Sequence, residues 1–276
     1  MEILLPVVAI GGMGLIFGAL LAVAAKIFAV EKDERIPKIE ECLPGANCGG
    51  CGFAGCSAAA AAIVAGEASI NCCPVGGNDA AKKIAEIMGV EAKAEEKMTA
   101  FVMCSGTADV TKNKYENNEN IDCHTANRLG GGMKECAFGC LGFGSCVAKC
   151  MFGALSLQNG VAVVDREKCT NCGACMAECP RNIIKRVPYS AKAVVACTSK
   201  DKGKDTRNAC GVGCIGCGIC AKNCEAGAIE VIDNCATIDY KKCTGCGLCA
   251  EKCPRDAIKM LNSTPEIQVV RKAVKK

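Results

Sequence analysis

Tryptophan is absent from this 276-residue chain, tyrosine occurs three times, phenylalanine seven times and histidine once. Aromatic side chains carry much of the buried area of an ordinary core, so a large conventional apolar interior is excluded. The charge balance is mild, +4 in total, which excludes the basic character of a nucleic-acid-binding domain. Nucleotide-binding signatures are missing as well. There is no P-loop, and Gly211-Val-Gly213-Cys-Ile-Gly216 fits a dinucleotide fingerprint only in letters. It opens no helix after a strand and sits inside a run of cysteines. No flavin or nicotinamide site is expected on this chain.

Cysteine is what the chain has instead, 27 of them. Disulfide frameworks belong to small secreted domains, and zinc ribbons use two separated pairs. Here the unit is three plus one. Cys169-Thr-Asn-Cys172-Gly-Ala-Cys175-Met-Ala-Glu-Cys179-Pro recurs as Cys243-Thr-Gly-Cys246-Gly-Leu-Cys249-Ala-Glu-Lys-Cys253-Pro. Three thiolates two residues apart wrap one face of an iron–sulfur cube, and the fourth, followed by proline, goes to a second cube. This pattern predicts several [4Fe–4S] clusters in a reducing compartment, with iron as the metal and electron transfer as the chemistry.

No charged residue occurs from Ile3 to Ala25, which predicts a spanning helix of the usual ~20 apolar residues. Gly14 and Gly18 form a G-x-x-x-G pair suited to close helix packing. The stretch is long, and Met1-Glu2 gives no basic start, so a secretory signal fits less well. Lys26, Lys32, Arg35 and Lys38 follow, which by the positive-inside rule places a single-pass protein in the cell membrane with its bulk on the cytoplasmic side.

Next come Cys48, Cys51 and Cys56, then an alanine-rich stretch from Ser57 to Ala65 that reads as a helix ending at Gly66. Beyond it lies Cys72-Cys73-Pro-Val-Gly-Gly. One of Cys72 and Cys73 completes a four-thiolate set; spacing does not separate them, and the following proline favours Cys73. A helix, a C-x2-C-x4-C-x16-C module ending in Cys-Pro-x-Gly-Gly, and then ferredoxin repeats together resemble the RnfB family, the B subunits of the Rnf electron transport complex, which is called Rsx in some bacteria. The resemblance covers nearly the whole chain and selects Cys73. Shorter members of that family carry one ferredoxin-like domain, whereas this chain carries two.

The chain therefore reads as α+β, in six parts: a transmembrane anchor (1–26), a small helical [4Fe–4S] module (27–92), a linker (93–130), two bacterial two-cluster ferredoxin-like domains (131–188 and 189–263) and a basic tail (264–276). Asp79 to Met98 reads as a surface helix leading into the linker. In the first ferredoxin-like domain a hairpin is expected from Ala154 to Asp165 around Asn159-Gly160, in the second from Ala228 to Asp239 around Asp233-Asn234. Aligning the two domains matches Cys136, Cys140, Cys146 and Cys150 with Cys210, Cys214, Cys220 and Cys224. Phe143 stands where the second domain has Cys217, so the first domain lacks a ligand and Cys136 is the nearest replacement.

The expected ligand sets, beside that of the module, are Cys136, Cys140 and Cys146 with Cys179; Cys169, Cys172 and Cys175 with Cys150; Cys214, Cys217 and Cys220 with Cys253; and Cys243, Cys246 and Cys249 with Cys224. That makes five clusters. Cys235 reads as packing. Cys104, Cys123, Cys197 and Cys210 remain and could hold a sixth, although buried free thiols are the plainer reading. His124 reads as an exposed loop residue.

No acid, base or nucleophile is expected, because such a chain works as a wire. The resemblance implies that the complex oxidises reduced ferredoxin, reduces NAD and moves Na+ or H+ ions, with this subunit receiving ferredoxin's electrons. It also implies membrane and NAD-binding partner subunits. Lys168, Lys185 and Arg186 are candidates for docking an acidic ferredoxin. An electron-transfer subunit of a hydrogenase or formate dehydrogenase is the alternative, and the N-terminal module argues against it. A redox sensor needs fewer clusters.

Overall fold

A computed structural model of the chain describes residues 4–27, 33–92, 94–116, 119 and 121–261. The basic tail expected at 264–276 lies outside the described residues, as does Lys32.

Helix α1 (Leu4–Ile27) corrects the first expectation. Among the described residues no helix is long and apolar enough to cross a membrane, which contradicts the transmembrane anchor and the single-pass placement in the cell membrane. Glycines at 11, 12, 14 and 18 reduce the apolar surface that the helix presents.

Three helices then form the first module: α2 (Arg35–Cys42), α3 (Cys56–Val64) and α4 (Gly77–Met88). Each contributes one wholly enclosed isoleucine, Ile39, Ile63 and Ile84. The alanines of α3 and α4 let the backbones approach closely around these three side chains. Helix α4 packs Ala80, Ala81, Ile84 and Ala85 into this core and leaves Lys82, Lys83 and Glu86 exposed, and Gly89, at φ 67°, ends it in the left-handed region. Helix α2 had no sequence signal beyond its short amphipathic pattern.

Strand β1 (Met98–Val102) leaves the stretch read as a linker and enters the first ferredoxin-like fold. Helices α5 (Cys123–Arg128) and α6 (Ser145–Ala148), hairpin strands β2 (Leu155–Gln158) and β3 (Val161–Val164), helix α7 (Ala174–Glu178) and strand β4 (Ile184–Pro188) complete it. β1 pairs antiparallel with β4, closing the fold end to end, with Val102 opposite Ile184. The second unit repeats the plan with β5 (Ala193–Val195), α8 (Gly203–Ala209), α9 (Ile219–Lys222), β6 (Ile229–Ile232), β7 (Cys235–Ile238), α10 (Leu248–Glu251) and β8 (Ile258–Met260). β5 pairs with β8, with Val195 opposite Ile258. Phe101, Val187, Val194, Ala196 and Leu261 form a shared core where the two end-strand sheets meet.

The hairpins turn where their short-loop chemistry directs. Asn159 and Gly160 have φ of 46° and 75°, Asp233 and Asn234 49° and 62°, positive at both central positions as a type I′ turn needs. Each hairpin tip then presses on a glycine of the preceding cysteine loop. A Cβ on Gly142 would lie 2.7 Å from the Gly160 carbonyl oxygen, and one on Gly216 would lie 2.8 Å from that of Asn234.

Gly216→Ala therefore adds a backbone clash to a left-handed φ of 66°, about 2 kcal/mol or more in total. Gly227 has a similar φ of 58° with nothing within 4 Å of its added Cβ. Anaerobic thermal melts should show Gly216→Ala lowering the midpoint at least twice as far as Gly227→Ala; equal shifts would remove the hairpin contact as the cause.

Candidate iron-sulfur centres

Short loops gather the thiols. In each ferredoxin-like unit a loop runs past a cysteine, turns at a left-handed glycine (Gly144, Gly173, Gly218 or Gly247) and opens a single turn of helix. The glycine is required there because φ lies between 72° and 85°, which a side chain resists. Backbone amides then face sulfur. The N–H groups of Ala154, Ala228 and Ala257 donate to Cys150, Cys224 and Cys253 at 3.3, 3.3 and 3.4 Å. Gly76 donates to Cys73 at 3.3 Å, Ala100 to Cys169 and Ala236 to Cys214, both at 3.4 Å. Such donors favour the thiolate and tune any cluster held there.

Cys214, Cys217, Cys220 and Cys253 line one cavity of about 360 Å³. Cys224, Cys243, Cys246 and Cys249 line a larger one of about 760 Å³. Cys169, Cys172 and Cys150 all lie close to Cys175, whose thiol is pushed up to about 11, first by burial and then by these neighbours. In the module, Cys73 is raised by burial, with Cys51 and Cys56 nearby. Cys72 is pushed up to about 11 by burial and by Cys51 and Cys73. Only Cys73 has a backbone donor from the Pro-Val-Gly-Gly turn. Cys48 sits on the loop leading to Cys51, which Asn47 Oδ1 ties down by accepting the Cys56 N–H at 2.8 Å.

The fourth site departs from the expectation. Cys140, Cys146 and Cys179 line a cavity of about 380 Å³ together with Cys123, and Cys136 is not among its walls. The Cys146 thiol is pushed up to about 12, by burial and then by Cys140, Cys123 and Cys179. Cys123 is delivered by α5, whose cap Asp122 accepts the Thr125 N–H at 2.6 Å. That bond holds the Asp122 carboxyl below its ordinary range. The Cys123 N–H donates to Ser145 Oγ at 3.0 Å, fixing the helix against the loop that Phe143 interrupts. His124 instead meets Glu178 at 3.0 Å. The one sequence signal for this arrangement is Asp122-x-x-Thr125, a helix cap that starts α5 on Cys123.

Cys136 lines a different cavity, with Cys104, Cys197 and Cys210. Cys235 is buried in the core of the second unit; its thiol donates to the Cys197 carbonyl at 3.3 Å.

Among the described residues no group of three or more His, Cys, Asp or Glu is arranged to hold a single metal ion. The sulfurs surround cavities instead, which suits a cube of iron and sulfide rather than zinc at ~2.3 Å from each sulfur. The module also abuts the first ferredoxin-like unit: a Cβ on Gly50 would lie 2.5 Å from the Cys172 carbonyl oxygen, so the two cysteine loops touch.

The family model "Putative Fe-S cluster" matches residues 43–75, and the "4Fe-4S binding domain" model matches 162–185 and 236–259. The chain is 49% identical over 241 residues to the B subunit of the Na(+)-translocating ferredoxin:NAD(+) oxidoreductase complex of Acetobacterium woodii, covering 87% of this chain and 72% of that one. It is 44% identical to the B subunit of the ion-translocating oxidoreductase complex of Methanosarcina acetivorans, over 84% of this chain and 89% of the relative. With the B subunit of the proton-translocating ferredoxin:NAD(+) oxidoreductase complex of Clostridium ljungdahlii the identity is 42%, over 82% and 81%.

Two outcomes are expected of these sites. Ligand thiols must lose protons to bind iron, and burial holds Cys146, Cys175 and Cys220 up to about 12, 11 and 11. Without bound iron they are therefore protonated at neutral pH, and iron retained against a chelator of corrected pH response should rise from pH 7 to pH 9; a flat profile would mean that proton release does not oppose binding. Gly50→Ala should push the module loop away from Cys172 and weaken the magnetic interaction between the centres on either side; unchanged EPR line widths would show that the contact does not set their spacing.

Proposed function

This chain belongs to the RnfB family, the B subunits of Rnf-type ion-translocating oxidoreductase complexes, and on that premise we propose how it carries electrons and from where. It is an electron-transfer subunit that works through iron–sulfur clusters and interacts with the other subunits of its complex. A cluster bound in such a site accepts or gives up one electron at a time. The residues around it hold it, turn amides toward its sulfurs and keep water away.

Five ligand sets are proposed: Cys48, Cys51, Cys56 and Cys73; Cys150, Cys169, Cys172 and Cys175; Cys123, Cys140, Cys146 and Cys179; Cys214, Cys217, Cys220 and Cys253; and Cys224, Cys243, Cys246 and Cys249. Cys123 replaces Cys136 because it stands in the cavity that Phe143 leaves short of a thiol. The module at 33–92 and the two ferredoxin-like units, the first beginning at β1, are the proposed functional parts.

Reduced ferredoxin is the proposed donor, with electrons passing on toward NAD reduction coupled to Na+ or H+ movement. The NAD-binding and membrane subunits of the complex are the proposed receivers. The observation that carries the direction is exposure. Cys246 and Cys217 are open to solvent, and Lys192, Lys241 and Lys242 are exposed around the Cys246 loop. The stem of Lys192 lies over Gly245, within 2.6 Å of where its Cβ would stand. A basic rim beside an open centre suits an acidic donor, since charge complementarity mostly raises the encounter rate. Lys168, Lys185 and Arg186, also exposed, form the rival patch on the first unit.

Stopped-flow reduction by ferredoxin at low salt separates them. Reversing Lys241 and Lys242 to Glu should slow the second-order rate about tenfold, an effect that shrinks as salt screens the charges. The same loss from reversing Lys168, Lys185 and Arg186 instead would move the docking site to the first unit. No loss from either would refute charge-guided docking. Independently, Cys123→Ser should cost about four irons per chain, and unchanged iron would remove Cys123 from its set.

A further inference from the structure

We propose that Cys104, Cys136, Cys197 and Cys210 form an additional [4Fe–4S] site, half of it from each ferredoxin-like unit, that joins the electron paths of the two. The proposal rests on the cluster-carrying reading above and goes beyond it, because none of the five sets uses these residues.

The four cysteines are two copies of one pair. Val102 faces Ile184 in the first unit as Val195 faces Ile258 in the second. The next residues, Met103 and Ala196, both donate onward to that partner strand, to the Ile183 and Ala257 carbonyls at 2.8 Å each. Cys104 and Cys197 then follow at matching positions, just as Cys136 matches Cys210. Each unit thus carries a pair of thiols surplus to its own two centres. Neither pair is a site alone; the packing of the units brings them together, as a two-fold interface does with matching patches. That packing is held at this spot by backbone bonds, Ser105 N–H to the Ala196 carbonyl at 3.1 Å, Lys112 N–H to Ala209 at 3.1 Å and Gly211 N–H to Val110 at 2.6 Å.

The cavity they line measures about 390 Å³, against about 380 and 360 Å³ for the four-cysteine cavities of the first and second units. Two glycines keep it open. A Cβ on Gly106 would stand 3.4 Å from Cys210 Sγ and 3.6 Å from Cys104 Sγ, and one on Gly139 would stand 3.6 Å from both Cys104 Sγ and Cys136 Sγ. These positions bound the Cys104–Cys210 and Cys104–Cys136 sulfur separations at about 7 Å. Cys210 has Cys104, Cys136 and Cys197 as its neighbours across the cavity.

Sulfur here is treated as it is at the other centres. Cys104 Sγ accepts the N–H groups of Gly106 and Cys140 at 3.4 and 3.3 Å. Cys197 Sγ accepts those of Ser199 and Cys214 at 3.5 and 3.3 Å. Free buried thiols need no such donors, whereas thiolates on a cluster do. In addition the wall contains Lys134, only 6% exposed. Its ammonium donates to the Gly106 and Gly160 carbonyls at 2.7 and 2.8 Å, and no carboxylate among the described residues pairs with it. A buried cation without a counter-ion is costly, and an anionic cluster would supply the missing charge.

The position gives the site its role. One hydrogen bond links Cys104 to Cys140 and one links Cys197 to Cys214, so it lies against the nearest set of each unit. An electron crossing it oxidises one neighbour and reduces the other by one electron, with no proton or bond exchanged.

Iron and acid-labile sulfide on the anaerobically purified full chain, with EPR of the reduced protein, test this. About twenty-four irons per chain are expected. Cys104→Ser and Cys197→Ser should each lose about four irons, and the double variant should lose no more than either, because both break one cluster. Cys42→Ser, outside every set, should keep the full content. Freeze-quench EPR of the Cys197→Ser variant should show the second unit reduced by ferredoxin while the first stays oxidised. About twenty irons in the wild type, unchanged in the variants, would overturn the proposal and leave the five sets standing. One zinc lost from the variants would overturn it in favour of a structural zinc site. Far fewer than twenty irons would instead sink the five-cluster reading beneath it.

Discussion

Everything in this molecule answers to one constraint: thiolates must be held apart around a cavity, close enough to share an inorganic cube, with backbone amides turned toward sulfur. A thiolate is stable in an interior only with such donors or with metal. The chain meets the demand with loops that turn at left-handed glycines, and with hairpins whose tips press on glycines too tightly for a side chain. Secondary structure in the two ferredoxin-like units is correspondingly slight, with helices of four to seven residues and strands of three to five. Cysteine-lined cavities take the place in the interior that the missing aromatics leave.

The same constraint explains how the modules meet. Gly50 lies against the backbone of Cys172, and the end strands of the two ferredoxin-like units share the core built on Phe101, Val187 and Val194. Contacts between units are made by these end strands and by the cysteine loops. A chain that moves electrons by short hops gains from packing its loops together, and a chain poor in large apolar residues has few other places to build an interface.

Comparison of the two units separates what is general in the fold from what is particular. The register of β1 on β4 and of β5 on β8 is the same, the amide-to-sulfur bonds repeat, and the hairpin tips meet matching glycines. The first unit differs by the longer stretch between Cys104 and Cys136, and α5 lies within it. That longer stretch carries Cys123 to the cavity of Cys140, Cys146 and Cys179, while Cys136 lines the cavity between the units.

The sequence by itself determined whatever is local. Thiols spaced within a single loop, such as Cys214, Cys217 and Cys220, are gathered by the chain over a few residues, so their grouping and the hairpins after them can be read from spacing and turn chemistry. Membership of the family is equally visible, since the C-x2-C-x4-C-x16-C module and the ferredoxin runs are short motifs. Apolar run length was a poorer guide at the N-terminus, where the glycine-interrupted α1 does not meet the requirement for a span. The tertiary structure alone decided that a strand lies in the stretch read as a linker, and that Cys123, not Cys136, lines the cavity of Cys140, Cys146 and Cys179. It alone decided the meeting of Cys104 with Cys197 as well. Those placements depend on β1 pairing with β4 and β5 with β8 across long stretches of chain, and on one unit packing against the other. Spacing in sequence carries no record of which distant loops will share a cavity.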